Sequence, residues 1–469
     1  MANPEFPPQA QDAHRSVNLS DPVLSRCSYH PSFLSSMQDS FQKYLCGKHL
    51  RGERIWEQPP TIGNTLRIGQ LLGKGGYGEV YEIYKVTEPQ KRFALKIPGP
   101  PLDITKNYIL NEIQKLKLLN KPGNPHIPKI QDGFFYLRQQ KIPYYITHIL
   151  TPIEKQFPPF AENQPMDPLV TLVLFYFLAS GLKYITSKHI VHNDLKPENI
   201  MFYGYLPIIT DYGTARSYSE INEIEFERLQ GRLHGTPTWL PPELISVIPN
   251  PEMLSTYYIY YNLGKVGQKT DVWGLALVLM RYLIGESLFH DVPIKSYQVP
   301  EIFLTTYQQF YEAKIVARYR IHSYRRLIRF YGSDNTQEHK TIHLDILKNF
   351  LYETSSPSAQ KLQEQYIHYK SENELNPMSS GRVLIAKLCL KKLQFLQRTR
   401  SEYEIREFFF NTLFELFDIC VAPLDQRIKI YQLMDILDIL FPGLPLFCQK
   451  QIDSTIFPEL VSSESQLTN

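Results

Sequence analysis

The chain has 469 residues, of which 43% are hydrophobic and 21% charged, a balance typical of globular rather than disordered proteins. Its length allows two or three domains. Its net charge of +3 is too weak to favour nucleic acid or a membrane surface as the main partner. We therefore expect no nucleic-acid partner.

The cysteines and the apolar runs bear on the compartment. The cysteines are odd in number and scattered, with no Cys-x-x-Cys pair, which predicts reduced thiols in a cytoplasmic setting. The first residues contain no apolar h-region, and Ala2 excludes myristoylation. The most apolar run, 169–182, is shorter than the roughly 20 residues that a membrane helix needs, so it predicts a buried helix and no transmembrane segment. The five cysteines are Cys27, Cys46, Cys389, Cys420 and Cys448.

The predicted elements change character along the chain. Residues 1–65 are rich in Pro, Ser and Gln, which predicts loose structure with a short helix near 34–46. Strand patterns then dominate, interrupted by one helix that begins behind an Asp cap, and long helices follow. Strands first and helices later predict an α+β fold. The strands are expected at 66–73, 79–86, 92–98, 130–137 and 143–150, and the helices at 103–120, 168–188, 269–285 and several places beyond 300.

The glycine cluster "GKGGYG" at residues 73–78 is the first chemical motif. Glycines let a backbone approach phosphates and present its N–H groups to them. A lone G-x-G-x-x-G is a weak signal. This one lies between two strand patterns, whereas in a dinucleotide-binding fold it opens a helix. The context therefore favours a β-hairpin that covers nucleotide phosphates.

Lys96 and Glu112 form the second motif. Lys96 lies in the otherwise apolar strand "RFALKIP", where an unpaired ammonium would be costly. Glu112 is the only glutamate of the next predicted helix, on the face shared by Leu116 and Leu119. Two solvated surface charges are the commoner arrangement for such residues taken alone. An ion pair would instead hold the ammonium against nucleotide phosphates.

The stretches "VHNDLKPENI" (191–200) and "IITDYG" (208–213) carry the remaining polar groups. One interpretation is a polar loop between buried elements. The other is a phosphoryl-transfer site, in which Asp194 accepts the proton of an attacking hydroxyl and Lys196 stabilises the transferred group. Asn199 and Asp211 would then hold Mg²⁺, which prefers oxygen ligands.

In this order and at these spacings, the motifs resemble those of the eukaryotic-type (Hanks-type) protein kinase superfamily. The glycine loop, the strand lysine, the helix glutamate, "HNDLKPEN", "DYG" and "PPE" (241–243) match the family set over most of the chain. Lys196 and the loop "GTPTWLPPE" are similar to the serine/threonine branch. The resemblance implies a bilobal fold, with a β-rich N-lobe and a helical C-lobe, and protein substrates with Ser or Thr acceptors.

The same resemblance implies the cofactors and the site. ATP would be the nucleotide and Mg²⁺ the metal ion, with Mn²⁺ as an alternative. Asp194 and Lys196 would be catalytic, and Asn199 and Asp211 would be metal ligands. The implied nucleotide-binding residues are Leu72, Gly73, Lys74, Gly75, Gly76, Tyr77, Gly78, Val80, Ala94, Lys96 and Glu112.

Four further positions receive structural roles from the resemblance. Asp271, in "DVWGLAL", would brace the backbone of the catalytic loop. Thr236 would form hydrogen bonds towards Asp194 and Lys196. His192 and Tyr212 would join an internal spine with Leu116.

Asn193 departs from the family, because it stands where H-R-D has arginine. In many relatives that arginine pairs with a phosphate on the activation segment, which asparagine cannot do. The resemblance therefore implies a non-RD kinase, and we predict activity without loop phosphorylation. A nucleotide-binding pseudokinase or scaffold is one alternative, against which the complete motif set argues. A small-molecule kinase is another, against which the loop "GTPTWLPPE" argues.

The end of the kinase domain is the last expectation. By analogy it should lie near 320, but only 413–442 resembles the closing segment, with Arg427 placed to pair with Glu243. A separate helical domain after a kinase that ends near 330 is the alternative. The insertion-rich outline also resembles bacterial kinases of eukaryotic type, some of which are delivered into host cells. The predicted divisions are an extension at 1–65, an N-lobe at 66–150, a C-lobe at 151–442 with a helical insertion at about 290–400, and a tail at 443–469.

Overall fold

The computed structural model describes part of the chain. The predicted helix near 34–46 and the predicted partner Glu243 lie outside that part. The described residues are 49–50, 53–54, 61–62, 66–137, 140–157, 165–217, 236–241, 245–249, 256–261, 267–285, 298–300, 344–352, 363–364, 366–368, 380–422, 424 and 426–455.

An antiparallel sheet of six strands forms the first lobe, in the order β3-β4-β5-β6-β8-β7. Alternating apolar residues give one face its own core, which includes Ile68, Ile83 and Leu95, as expected for half-buried strands. The predicted strands 66–73, 79–86 and 92–98 are confirmed. The first two strands of the chain, β1 (His49–Leu50) and β2 (Glu53–Arg54), pair with each other in a separate sheet. The strands of the six-stranded sheet are β3 (Thr61–Ile62), β4 (Leu66–Lys74), β5 (Gly78–Lys85), β6 (Arg92–Pro98), β7 (Gln131–Leu137) and β8 (Gln140–Thr147).

Helix α1 (Leu102–Leu119) crosses between β6 and β7. Its apolar residues, among them Ile109 and Leu116, join the core that continues into the second lobe. The predicted Asp cap is wrong, because the N-cap is Pro101 and no side chain caps the helix. Asp103 therefore lies inside the first turn.

The second lobe is built around two long helices, α3 and α4, that pack against each other, with α7 and α8 packed against them. One continuous hydrophobic core includes residues from all four helices. The helices that follow α1 are α2 (Ile153–Gln156), α3 (Pro168–Ser187), α4 (Gln268–Ile284), α5 (Leu344–Leu351), α6 (Ser380–Leu396), α7 (Glu402–Cys420), α8 (Ile430–Leu440) and α9 (Leu444–Asp453).

Short strands form parts of the segments that connect these helices. One three-stranded sheet has the order β12-β11-β9, a second has β14-β15-β16, and β10 pairs with β13. The strands of the lobe are β9 (Thr151–Pro152), β10 (Ile190–Val191), β11 (Ile200–Tyr203), β12 (Leu206–Ile209), β13 (Arg216–Ser217), β14 (Ile245–Pro249), β15 (Thr256–Tyr261) and β16 (Gln298–Pro300).

The region predicted as an insertion, 290–400, contributes to the lobe. From α5, Leu347, Phe350 and Leu351 belong to the main core, and so do Ile385 and Leu388 from α6. The hydrophobic core of the described residues therefore extends far beyond residue 330.

Helix α3 is the one described helix that is long and apolar enough by itself to cross a membrane. Its 20 residues exceed the length expected from the apolar run alone, and 67% of its most apolar window is buried inside the protein. The bent pair α8 and α9 also passes when its two helices are taken together. Among the described cysteines, Cys389, Cys420 and Cys448 are free and buried.

Candidate active site

The glycine loop closes the hairpin between β4 and β5, where the N–H of Gly75 donates to the carbonyl of Gly78 at 2.9 Å. A Cβ atom on Gly78 would lie 2.7 Å from the carbonyl oxygen of Ile97, so this position requires glycine. A Cβ atom on Gly73 or Gly76 would meet nothing within 4 Å. Protein packing therefore leaves the space beside these two glycines open.

The strands place the other predicted nucleotide-binding residues beside this loop. Val80 lies opposite Lys96 in the β5–β6 register, and Ala94, two residues before Lys96, shares its face of the sheet. Leu72 lies at the second register shift of β4, between Leu71 and Gly73, and is 39% exposed. Lys74 pairs with the buried Glu79 at 3.1 Å.

The predicted pair of Lys96 and Glu112 is formed. The ammonium lies 3.0 and 2.8 Å from the two carboxylate oxygens of Glu112 and 3.4 Å from Oδ1 of Asp211. Burial opposes the charge of Lys96, but Asp211 and Glu112 more than offset it and raise its pKa well above 10.5. Burial raises the pKa of Glu112 and Lys96 opposes that rise. At these distances we describe the pair as ionised.

Asp194 lies at the centre of the catalytic loop. Its Oδ1 accepts the backbone N–H of Thr236 at 2.8 Å, and its Oδ2 accepts Lys196 at 2.8 Å and Asn199 at 3.1 Å. Lys196 also donates to the hydroxyl of Thr236 at 2.6 Å. These contacts bring the predicted base, the predicted phosphate partner and the loop threonine together.

Asp271 holds the backbone of this loop, as predicted. Its buried carboxylate accepts the backbone N–H groups of His192 and Asn193 at 2.8 and 2.9 Å. His192 contacts the carbonyl of Thr210 through Nε2 at 2.8 Å, and its Nδ1 accepts the N–H of Asp194 at 3.3 Å. This pattern assigns the proton to Nε2, because carbonyls only accept hydrogen bonds.

The contact between His192 and Tyr212 that the predicted spine requires is formed. The rings of His192 and Tyr212 meet edge to face, 4.9 Å apart. Tyr212 and Leu116 belong to the same core cluster. The spine thereby links the catalytic loop, the "DYG" turn and helix α1.

Asp211 and Asn199 are the two predicted metal ligands. Burial opposes the charge of Asp211, yet the cations Lys96 and Lys196 hold its pKa below the usual 3.8, so it is a carboxylate at neutral pH. Asn199 donates its amide N–H to the carbonyl of Asp194 at 2.8 Å. A carboxylate and an amide oxygen are the hard donors that Mg²⁺ takes, so the residues fit this ion.

Two backbones in the site adopt the left-handed conformation, Asn193 with φ 66° and Asp211 with φ 65°. Asparagine and aspartate tolerate this region better than other residues with a side chain. Asn193 is 3% exposed, and its side-chain oxygen has no hydrogen-bond partner among the described residues. A buried neutral amide here cannot carry the charge of the missing arginine.

Sequence reasoning missed two contacts of helix α1. Tyr77, at the tip of the glycine loop, stacks on Tyr108 with ring centroids 3.9 Å apart. Asn111 donates to the carbonyls of Gly213 and Ala215 at 2.9 and 3.0 Å. Its position directly before Glu112 was the only available signal. The partner carbonyls lie about a hundred residues away in the chain.

Comparison with known proteins agrees with this geometry. The sequence model described as "Protein kinase domain" matches residues 66–378. The chain is 26% identical over 246 residues to the serine/threonine-protein kinase stk11 homolog of Dictyostelium discoideum, covering 50% of this chain and 38% of that protein. It is 28% identical over 236 residues to the serine/threonine-protein kinase chk-1 of Caenorhabditis elegans, covering 49% and 41%.

A solved structure is also similar. It is described as the CAK complex from Chaetomium thermophilum bound to ATP-gamma-S, with 19% sequence identity, a TM-score of 0.38, and coverage of 50% of this chain and 65% of that one.

The match to the family covers more than half of the chain. The structure has a sheet lobe and a helical lobe, and Lys96 of the first lobe contacts Asp211 of the second. The chain belongs to the protein kinase domain family. The curated relatives named above are serine/threonine protein kinases, and the alignments span about two fifths of their length.

Proposed function

We propose that this protein is an active serine/threonine protein kinase, which transfers the γ-phosphoryl group of ATP to hydroxyl groups of protein substrates with Mg²⁺ as the metal ion. The observation that carries the proposal is the grouping of Asp194, Lys196, Asn199 and Thr236 within 3.1 Å contacts. A pseudokinase does not transfer phosphoryl groups and therefore does not need these contacts around Asp194.

Each residue has one task in the reaction. Asp194 takes the proton of the substrate hydroxyl while the hydroxyl oxygen forms a bond to the γ-phosphorus. The bond between the γ-phosphorus and the β–γ bridging oxygen breaks at the same time, and ADP leaves. Lys196 stabilises negative charge on the transferred group, and Lys96 orients the other phosphates. When bound at Asp211 and Asn199, Mg²⁺ neutralises charge on the phosphate oxygens.

The acceptor and the control of the enzyme follow from the same residues. The contact of Thr236 with Lys196 and Asp194 matches the serine/threonine pattern on which the acceptor is proposed. Asn193 has no charge with which to bind a phosphorylated activation segment, so activity is proposed to persist after phosphatase treatment. A rate that falls with the removal of phosphate would contradict this part.

Transfer of label from γ-labelled ATP to a mixed protein substrate tests the proposal. We expect Asp194→Asn to lower the rate about 10²–10⁴-fold, the range that general-base catalysis contributes. Asp345→Asn, at an exposed carboxylate of α5, is the matched control and should retain the wild-type rate. Label should appear on serine or threonine. Nucleotide binding without any transfer by the wild type would identify a pseudokinase instead.

A further inference from the structure

Helix α1 contacts the "DYG" segment at more points than the salt bridge to Lys96 requires. Glu112 accepts the backbone N–H of Tyr212 at 3.2 Å. One residue earlier, Asn111 donates to the carbonyls of Gly213 and Ala215. One turn later, Lys115 donates to the hydroxyl of Ser217 at 2.8 Å. Three residues of one helix thus hold one short segment.

From this geometry we infer that Asn111 is a positioning residue, which fixes the turn that presents Asp211 to the metal ion. The inference rests on the proposed kinase function and extends it to a residue outside the motif set. Carbonyls only accept hydrogen bonds, so it is the NH₂ group of Asn111 that meets them. Its two hydrogens match the two short contacts, at 2.9 and 3.0 Å, and a third carbonyl, that of Tyr212, lies at 3.4 Å.

The turn needs such support because of its backbone. Asp211 has φ 65°, a conformation that costs free energy for a residue with a side chain and persists only where the surroundings impose it. The 3₁₀ turn Tyr212–Thr214 follows at once. Asn111 binds the carbonyls of its middle residue and of the residue after it. The side chain therefore closes the end of the turn that Asp211 begins.

Asn111 also explains how the start of the activation segment, residues 211–217, is held without a phosphate. In relatives with arginine in H-R-D, that residue helps to hold the activation segment once it is phosphorylated. Here Asn193 is neutral and buried. The start of the segment is held by uncharged and charged donors of α1 instead, so its position depends on the helix.

The test compares Asn111→Asp with Asn107→Asp. Asn111→Asp keeps the shape of the side chain and replaces the NH₂ donor with an acceptor oxygen. Asn107 lies one turn earlier on the same helix and is exposed, so its variant adds the same charge without touching the turn. Thermal unfolding, kcat, and Mg²⁺-dependent binding of a fluorescent ATP analogue are measured for both variants and for the wild type.

For Asn111→Asp we expect kcat to fall about tenfold or more, since two hydrogen bonds are replaced by repulsion. The Mg²⁺ concentration for half-maximal binding of the analogue should rise severalfold, while binding without Mg²⁺, which relies on Lys96, stays within about twofold. Asn107→Asp should match the wild type in every measurement.

The inference is overturned if Asn111→Asp keeps wild-type kcat and Mg²⁺ dependence. It is equally overturned if the melting temperature falls and binding of the analogue weakens equally with and without Mg²⁺, because that result describes a purely structural residue. A wild type without phosphoryl transfer would refute the proposed function, and the Mg²⁺-dependent binding would still decide the role of Asn111.

Discussion

Lys96 in the cleft and Lys392 in the C-terminal helices are both withdrawn from solvent, but their surroundings differ. The side chain of Lys96 is 16% exposed and touches the carboxylates of Glu112 and Asp211. Lys392 is 1% exposed and donates to the carbonyl of Leu351 at 2.7 Å. No carboxylate among the described residues lies within ion-pair distance of it.

The surroundings of Lys392 are aromatic. Its ammonium lies 5.6 Å from the ring centre of Phe395 and 5.5 Å from that of Phe408. Burial lowers its pKa from 10.5 to about 7, whereas the pKa of Lys96 is raised. Lys96, for which we propose phosphate binding, is kept charged by its acidic neighbours. Lys392 is stabilised mainly by packing, and its charge is a cost to the fold.

Arg427 is a third buried cation, and its surroundings combine backbone carbonyls with an aromatic ring. Its guanidinium is 2% exposed, donates to the carbonyls of Ala422 and Lys269 at 3.0 and 3.1 Å, and lies 4.9 Å from the ring centre of Trp273. The predicted pair with Glu243 stays a prediction, because Glu243 is outside the described residues. The contact with Lys269 already joins the C-terminal segment to the start of α4.

Replacing Lys96 should have the largest effect on activity. We expect Lys96→Met to lower kcat/KM by roughly 10²–10³-fold, or about 3–4 kcal/mol of transition-state stabilisation, because the phosphates lose a fixed charge. The fold should persist, since the Glu112 carboxyl can take up a proton. Label transfer and thermal unfolding measure the two parts. Wild-type turnover in this variant would show that the ATP site has been assigned to the wrong residue.

Replacing Arg427 should affect stability first. We expect Arg427→Ala to lower the free energy of unfolding by about 3–5 kcal/mol, because the carbonyls of Ala422 and Lys269 lose their charged hydrogen-bond donor. Arg398→Ala, at an exposed side chain paired with Glu404, should cost less than about 1 kcal/mol. Denaturant unfolding followed by a transfer assay measures both. A destabilised variant with full kinase activity would favour a separate helical domain over a catalytic domain that extends to 442.

Replacing Lys392 should change the pH dependence of stability and leave phosphoryl transfer near the wild-type rate. The unfolded chain keeps the lysine pKa near 10.5, and the folded chain lowers it to about 7. Between these values the unfolded state binds more protons, so the wild type gains stability as pH rises. Relative to Lys392→Met, which cannot titrate, this gain is at most about 1.4 kcal/mol per pH unit.

Unfolding curves of both proteins from pH 6 to pH 9 check the sign. Below about pH 7 both states of the wild type are protonated, and the difference between the two proteins should stay constant. A difference that is flat over the whole range would mean that Lys392 is paired in the folded protein. The comparison with Lys96 would then no longer hold.

Much of the site was predictable because its chemistry is local in the sequence. Lys96 lies inside an otherwise apolar strand, and Glu112 is the only glutamate of α1 and lies on the face of Leu116 and Leu119, so the sequence pointed to Glu112 as its partner. Asp194, Lys196 and Asn199 lie within six residues of each other, close enough for one loop to bring them together. The strands and the long helices followed from hydrophobic periodicity, which reports directly which face is buried.

The tertiary structure alone decided the partners that come from distant parts of the chain. Asn111 looked like any polar residue of an amphipathic helix until the fold brought the carbonyls of Gly213 and Ala215 to it. The same is true of Lys392, whose pKa depends on burial between helices. Periodicity and motifs encode local spacing, whereas desolvation and hydrogen-bond partners depend on packing between elements far apart in sequence.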